Sequence, residues 1–100
     1  MSTPENIFQK ALSALNQRDF AEAERLFRKV LRGQPDHVAT LNLLTVVLMG
    51  TGRFAEAEPF IAKAISINPE SDAAYYNFGL ILKRLNKPGE ALQQFNKRSA

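Results

Sequence analysis

The sequence lacks cysteine and tryptophan and contains a single histidine, His37. Without cysteine, disulfides, thiolate nucleophiles and sulfur-ligated metals are excluded. His37 lies beside Asp36, but no nucleophile or second acid follows at a spacing typical of an active site. A glycine-rich phosphate loop and a set of metal ligands are also missing. We therefore expect no catalytic, cofactor-binding or metal-binding residues, and a protein that is not an enzyme.

Long hydrophobic runs are missing as well. The longest strongly apolar run, residues 41–50, is far shorter than the roughly 20 residues that a membrane-spanning helix needs. The N-terminal residues MSTPENIFQKAL do not have the basic-then-apolar layout of a signal peptide. Hydrophobic and charged residues make up 45% and 23% of the chain, which are ordinary values for a globular protein. These features predict a soluble, cytoplasmic protein with no membrane contact.

Neither sign of charge dominates, because the formal net charge is only +3. One basic group, Arg25, Arg28, Lys29 and Arg32, is spaced to share a face of a helix. Such a stripe could bind anions or nucleic acid, but no aromatic residues interleave with it as they do in single-strand binders. Acidic residues are scattered among the same positions. The pattern favours a solvated outer face, and we expect no nucleic-acid partner.

What the sequence does contain is a repeat of 34 residues. The segment FAEAE occupies residues 20–24 and is repeated at residues 54–58, and Pro35 is repeated as Pro69. A weaker third copy carries Glu90 and Ala91. The carboxylate pairs within FAEAE recur with the repeat in first helical turns, where acids suit the helix dipole, and are not read as catalytic dyads. A fixed period of this length indicates stacked helical hairpins.

The hairpins predict six helices. For helix one, Thr3 is a candidate cap before Pro4, and Ser2 with Glu5 is the alternative. Asp19 is expected to cap helix two in a box with Glu22, and Asp36 to cap helix three. The third helix has few polar residues, so we expect it to be surrounded by protein.

The remaining boundaries follow from similar signals. Helix four is predicted over about residues 54–67, and Phe54 is expected to begin its buried apolar stripe. Ser71 or Asp72 is expected to cap helix five. Pro88 is expected to open helix six at the position where its missing N–H is not needed.

Together these residues resemble the tetratricopeptide repeat. Its small positions fall on Ala11, Ala23, Ala57, Ala64, Gly79 and Ala91. Lys10, Thr45 and Arg98 depart from its pattern. The resemblance implies an all-α fold, a right-handed α-α superhelix (solenoid) of about three helix-turn-helix hairpins with the last one truncated. It implies one domain over residues 1–100, with repeats at about 4–37, 38–71 and 72–100.

The resemblance also implies a function, because the first helix of each hairpin in this family lines a concave groove where protein partners bind. On that geometry the groove residues are Phe8, Leu12, Leu15, Asn42, Val46, Met49, Tyr76, Leu80, Lys83 and Arg84. Three of them, Leu12, Val46 and Leu80, are one period apart and are expected to form an apolar ladder. The predicted function is a protein–protein interaction scaffold that binds a peptide or an amphipathic helix; the alternative is that some of these side chains only fill space between hairpins.

Two further hypotheses stay open at this point. One is that the chain is the N-terminal repeat segment of a larger bacterial enzyme, similar to a glycosyltransferase or a sulfotransferase. Alternatively, it is a self-associating module, because Leu92 and Phe95 belong to a last helix without a polar cap and should face solvent or another molecule. In that case a homodimer forms through the C-terminal helix.

Overall fold

The computed structural model describes residues 3–99, and within this range the chain forms six α-helices and no strand. They are α1 (Pro4–Asn16), α2 (Phe20–Gly33), α3 (Val38–Gly50), α4 (Phe54–Ile67), α5 (Asp72–Arg84) and α6 (Pro88–Ser99). The predicted count of helices and their approximate bounds are confirmed. The alternative cap Ser2 and the side chain of Arg98 lie outside what the structure describes.

Three of the predicted helix caps are confirmed. The side chain of Thr3 accepts a hydrogen bond from the Asn6 N–H at 3.1 Å. Asp19 accepts from the N–H of the residue three positions on at 3.2 Å, and Ser71 does the same at the start of α5, also at 3.2 Å. Each bond satisfies one of the N–H groups that the first turn of a helix leaves without a partner.

Two details of the predicted caps are wrong. Asp36 does not cap α3, because that helix begins at Val38 and the cap position falls on His37. The Nδ1 atom of His37 accepts from the Thr40 N–H at 3.3 Å, while Asp36 lies 3.3 Å from the ammonium group of Lys63. Glu22 does not complete a capping box with Asp19, because its carboxylate is paired with Arg25.

The three turns within the hairpins share one backbone geometry. The residues at positions 18, 52 and 86, one period apart, all have positive φ: Arg18 at 60°, Gly52 at 78° and Asn86 at 62°. In each turn the N–H of the next residue donates to the carbonyl five positions earlier, over 2.9, 2.8 and 2.8 Å. This is the Schellman arrangement, in which a left-handed residue ends one helix and directs the chain into the next.

The helices pack in chain order. Each hairpin packs its own two helices together, and α2 and α4 also pack against the first helix of the next hairpin. The largest fully buried side chains come from α2 to α5: Phe27, Leu41, Leu44, Leu48, Ile61, Ile81 and Leu82. Most of them belong to α3 and its neighbours, as its apolar composition predicted. The all-α helical repeat solenoid is confirmed, with extents of 46 × 25 × 19 Å.

The last hairpin closes through a glycine. A Cβ atom at position 79 would lie 2.6 Å from Cζ and 2.7 Å from Cδ1 of Phe95, so α5 and α6 approach each other where Gly79 has no side chain. Phe95 is therefore half-buried, and its ring centroid is 5.9 Å from that of Tyr76. The expectation that Phe95 faces solvent or another molecule is wrong in this respect. Leu92, in contrast, is 59% exposed.

Candidate functional site

An open groove runs between the first helices of the second and third hairpins. Its volume is about 690 Å³, and we call it the α3–α5 groove. It is lined by Val46, Met49 and Gly50 of α3, Phe54 of α4, and Asn77, Leu80, Lys83 and Arg84 of α5. A volume of this size lies within the range of roughly 300–1,000 Å³ that is usual for ligand-binding clefts.

Helical spacing explains why these side chains share one surface. The lining residues of α5 recur every three or four positions, which places them on one face of the helix. The repeat then sets the two helices in register, so that Val46 and Leu80, one period apart, form the apolar centre of the groove. Val46 is 44% exposed, whereas its neighbours Val47 and Leu48 are buried. The side of α3 that carries Val46 is therefore open to the groove.

One end of the groove is cationic. Lys83 and Arg84 occupy the last turn of α5, and the Arg84 guanidinium carbon lies 4.6 Å from the centroid of the Phe54 ring. This cation–π contact holds the guanidinium at the groove and uses none of its five N–H donors. Among the residues that the structure describes, no carboxylate forms an ion pair with either cation.

The structure brings together only half of the predicted groove residues. Val46, Met49, Leu80, Lys83 and Arg84 line the α3–α5 groove. The three predicted residues of α1, namely Phe8, Leu12 and Leu15, are half-buried and pack against the hydrophobic core instead.

The ring of Phe8 shows why α1 contributes no lining residue. Its centroid lies 6.1 Å from that of Phe27 and 5.0 Å from that of His37. Phe8 therefore packs across to α2 and to the start of α3. Of the three residues of the predicted apolar ladder, Val46 and Leu80 line the groove and Leu12 does not.

Asn42 and Tyr76, two further predicted groove residues, lie outside the groove lining. Asn42 is half-buried, and its Oδ1 atom is buried without a hydrogen-bond partner. Tyr76 is 45% exposed and contacts the ring of Phe95. Both occupy the repeat position of Phe8, so three different side chains occupy one register.

Sequence reasoning missed Phe54 as a groove residue. As the first residue of α4 in an apolar stripe, it was interpreted as core. Its ring does pack against the core, but it also lines the groove and supports Arg84. The available signal was the register, because Phe54 precedes the arginine by 30 residues and a repeat of 34 brings such positions close together.

The second helices of the hairpins carry paired charges, and we call the surface that these pairs form the outer surface. Arg53, just before α4, reaches back to both carboxylate oxygens of Glu24 in α2, at 2.5 and 3.0 Å. It also donates to Glu56 at 2.5 and 2.8 Å. Arg28 donates to the same Glu24 at 2.9 Å. The hydrogen bond from Arg53, followed by that from Arg28, holds the pKa of the Glu24 carboxyl below its ordinary value.

Part of the basic stripe and the repeated glutamates of the sequence take part in these ion pairs. Arg25 and Arg28 of the basic stripe hold Glu22 and Glu24 respectively. Of the repeated glutamates, Glu22, Glu24 and Glu56 thus bind arginines, and Glu58 pairs with Lys87. Within the part of the chain that the structure describes, no group of three or more histidine, aspartate or glutamate side chains could hold a metal ion.

Comparison with known proteins agrees with this architecture. The sequence profile of the tetratricopeptide repeat matches residues 14–78, and a second profile of the same name matches residues 72–97. A TPR repeat-containing protein from Pseudomonas aeruginosa is 31% identical over 86 residues, which cover 85% of this chain and 15% of that protein. Stress-induced-phosphoprotein 1 from Caenorhabditis elegans is 30% identical over 87 residues, covering 87% of this chain and 26% of that protein.

Solved structures of MamA share the fold. MamA residues 41–end from Desulfovibrio magneticus RS-1 superimposes with a TM-score of 0.86 at 27% identity, covering 96% of this chain and 56% of that one. A MamA RS-1 double mutant gives 0.92 at 24% identity, with 95% and 53% covered.

The chain belongs to the tetratricopeptide repeat family. It spans about a quarter or less of the two curated relatives and a little over half of the two MamA structures. Its architecture is that of a protein-interaction scaffold. No helix within residues 3–99 has both the length and the hydrophobicity that crossing a bilayer would require.

Proposed function

We propose that this chain binds a peptide or an amphipathic helix of a partner protein in the α3–α5 groove. The observation that carries the proposal is the pair of apolar residues Val46 and Leu80, which stand one repeat apart at the centre of an open groove of about 690 Å³. A side chain that covers them removes apolar surface from water, worth about 25 cal/mol for each Å². An amphipathic helix presents such side chains along one face.

The centre of the groove suits binding because Val46 is not part of the hydrophobic core. Val46 is 44% exposed, and the helices that meet at the groove are already fixed by their second-helix neighbours. A partner therefore finds a rigid surface, and little conformational entropy is lost on the side of the scaffold.

A selection from a random 12-residue peptide library against the immobilised chain tests the proposal. Peptides that are enriched should bind the wild type and lose at least about tenfold in affinity with Val46→Glu, because the new carboxylate is placed in the apolar centre. Ile67→Glu is the matched control, since Ile67 is 41% exposed and lies outside the groove. Circular dichroism verifies that both variants are folded.

Two results would contradict the proposal. One is the absence of any enriched peptide. The other is a set of peptides that bind Val46→Glu and the Ile67→Glu control equally well, which would place the binding surface elsewhere on the chain.

Self-association is a second candidate, favoured by Leu92. Leu92 occupies the repeat position of Glu24 and Glu58, whose carboxylates each pair with a cation of the next repeat. Its side chain is 59% exposed. Light scattering coupled to size exclusion should detect a dimer that Leu92→Glu dissociates. A wild type that stays monomeric as its concentration is raised would remove this candidate. Phe95, the other residue predicted for this contact, lies against Gly79 and Tyr76 within its own hairpin.

A further inference from the structure

The charges around the α3–α5 groove are of one sign. Among the described residues, Lys83 and Arg84 are the only ionisable ones that line it, and both are exposed. The facing helix α3 carries no charged residue along its whole length. A bound segment therefore meets an apolar centre next to two positive charges and no negative one.

These two cations differ from several others in the chain in having no acidic partner. Arg28, Arg53 and Lys87 are each paired with a glutamate on the outer surface. Lys83 and Arg84 have no such partner among the described residues, although Arg84 is held at the groove by the ring of Phe54. A guanidinium fixed in this way loses less side-chain entropy when it binds a carboxylate.

On the basis of the function proposed above, we propose that the groove selects an acidic amphipathic segment. A bulky apolar side chain of this segment seats on Val46, Met49 and Leu80. A carboxylate about one helical turn away pairs with Lys83 and Arg84. Charge-assisted hydrogen bonds of this kind are roughly twice as strong as neutral ones, and they fix the direction in which the segment lies.

The peptides selected from the 12-residue library test this directly, through their sequences. We expect aspartate or glutamate to be enriched three or four positions from a leucine, isoleucine or phenylalanine. The best peptide, synthesised with a fluorescent label, should bind Lys83→Glu/Arg84→Glu at least about tenfold more weakly than wild type. Replacing its acidic residue by lysine should restore binding to that double variant.

The control is Lys29→Glu/Arg32→Glu, which makes the same change in net charge on α2, away from the groove. Its affinity for the peptide should stay within about twofold of wild type, because screened charges at this distance contribute little. Unfolding curves of both double variants show that a loss of binding is not a loss of fold.

The outcomes separate this inference from the proposed function. Peptides that lose binding with Val46→Glu, but show no acidic preference and bind the Lys83→Glu/Arg84→Glu variant as well as wild type, would overturn the acidic partner and leave groove binding intact. An equal loss in both double variants would also overturn it, since net charge alone would then govern affinity. No peptide that depends on Val46 would overturn both proposals.

Discussion

The guanidinium of Arg53 contacts both carboxylate oxygens of Glu24, and one repeat later the ammonium group of Lys87 lies 3.5 Å from Glu58. The two pairs occupy equivalent positions of the repeat. In each pair, a cation just before the second helix of one hairpin contacts a glutamate in the second helix of the preceding hairpin. The third repeat has Leu92 where this glutamate would stand. The register of interrepeat ion pairs therefore ends at α6, in the described residues, with an apolar side chain.

The Glu24–Arg53 pair should make stability depend on pH. The pKa of Glu24 in the folded chain lies below its ordinary value of 4.5. The folded state therefore favours the carboxylate, and this contribution is fully present above about pH 4.5 and is lost as the pH falls through the lower folded pKa. Glu24→Gln should lower the free energy of unfolding at pH 7 by about 1 kcal/mol and flatten its decline as the pH falls below about 4.5.

Urea denaturation at a series of pH values measures this effect. Glu70→Gln is the control, because Glu70 is exposed and has no ion pair among the described residues. Equal slopes against pH in Glu24→Gln and wild type would contradict the role given to this pair.

Arg18 is a site where stability can be gained. It adopts φ of 60° at the turn position where the second repeat has Gly52. Because a side chain disfavours this left-handed region, Arg18→Gly should raise the free energy of unfolding by about 0.5–1 kcal/mol. Gln17→Gly, at φ of −86°, should lower it instead. Chemical denaturation of the Arg18→Gly and Gln17→Gly variants measures both effects. A loss of stability in both variants would show that the turn does not strain Arg18.

His37 has two separable roles at the start of α3. It caps the helix through Nδ1, and its ring packs on that of Phe8. His37→Ala removes both and should cost about 1–2 kcal/mol of folding free energy. His37→Asn should recover the cap but not the ring contact. Its thermal stability should therefore lie between that of the wild type and that of His37→Ala. If the asparagine variant were no more stable than the alanine variant, the cap would contribute nothing.

The close approach at Gly79 predicts a large effect of a small side chain. Gly79→Val places a Cβ against the ring of Phe95 and should lower the free energy of unfolding by about 1–3 kcal/mol. Hydrogen exchange should rise most in α6, which packs on this position. Gly33→Val is the matched control, because a Cβ there meets nothing within 4 Å. Similar losses in the two variants would contradict this prediction, because of the two positions only 79 places a Cβ against Phe95.

The helices could be predicted from the sequence because the repeat marks each of their ends. Proline and capping residues recur at 34-residue intervals, so an error at one boundary, as at Asp36 and His37, shifted a cap by one residue and left the helix in place. The same period predicted the pairing of Val46 with Leu80 at the centre of the groove.

The rest of the groove could not be predicted, because it depends on how far each side chain is covered by its neighbours. Leu12 has the same register as Val46, yet it packs against the core in the first hairpin. Phe54 was assigned to the core by its apolar stripe, and its contact with Arg84 follows only from the placement of α4 against α5. The interrepeat ion pairs were missed for the same reason, although a cation at 53 and 87 matched an acid at 24 and 58.

The proposed function requires that a peptide binds in the α3–α5 groove. Titrating the isotope-labelled chain with the best selected peptide, and following backbone amide shifts by nuclear magnetic resonance, locates the bound peptide on the chain. We expect the largest shifts on the lining residues of α3 and α5, around Val46 and Leu80. Shifts centred on α6 around Leu92, or on the outer ion pairs of α2, would contradict it.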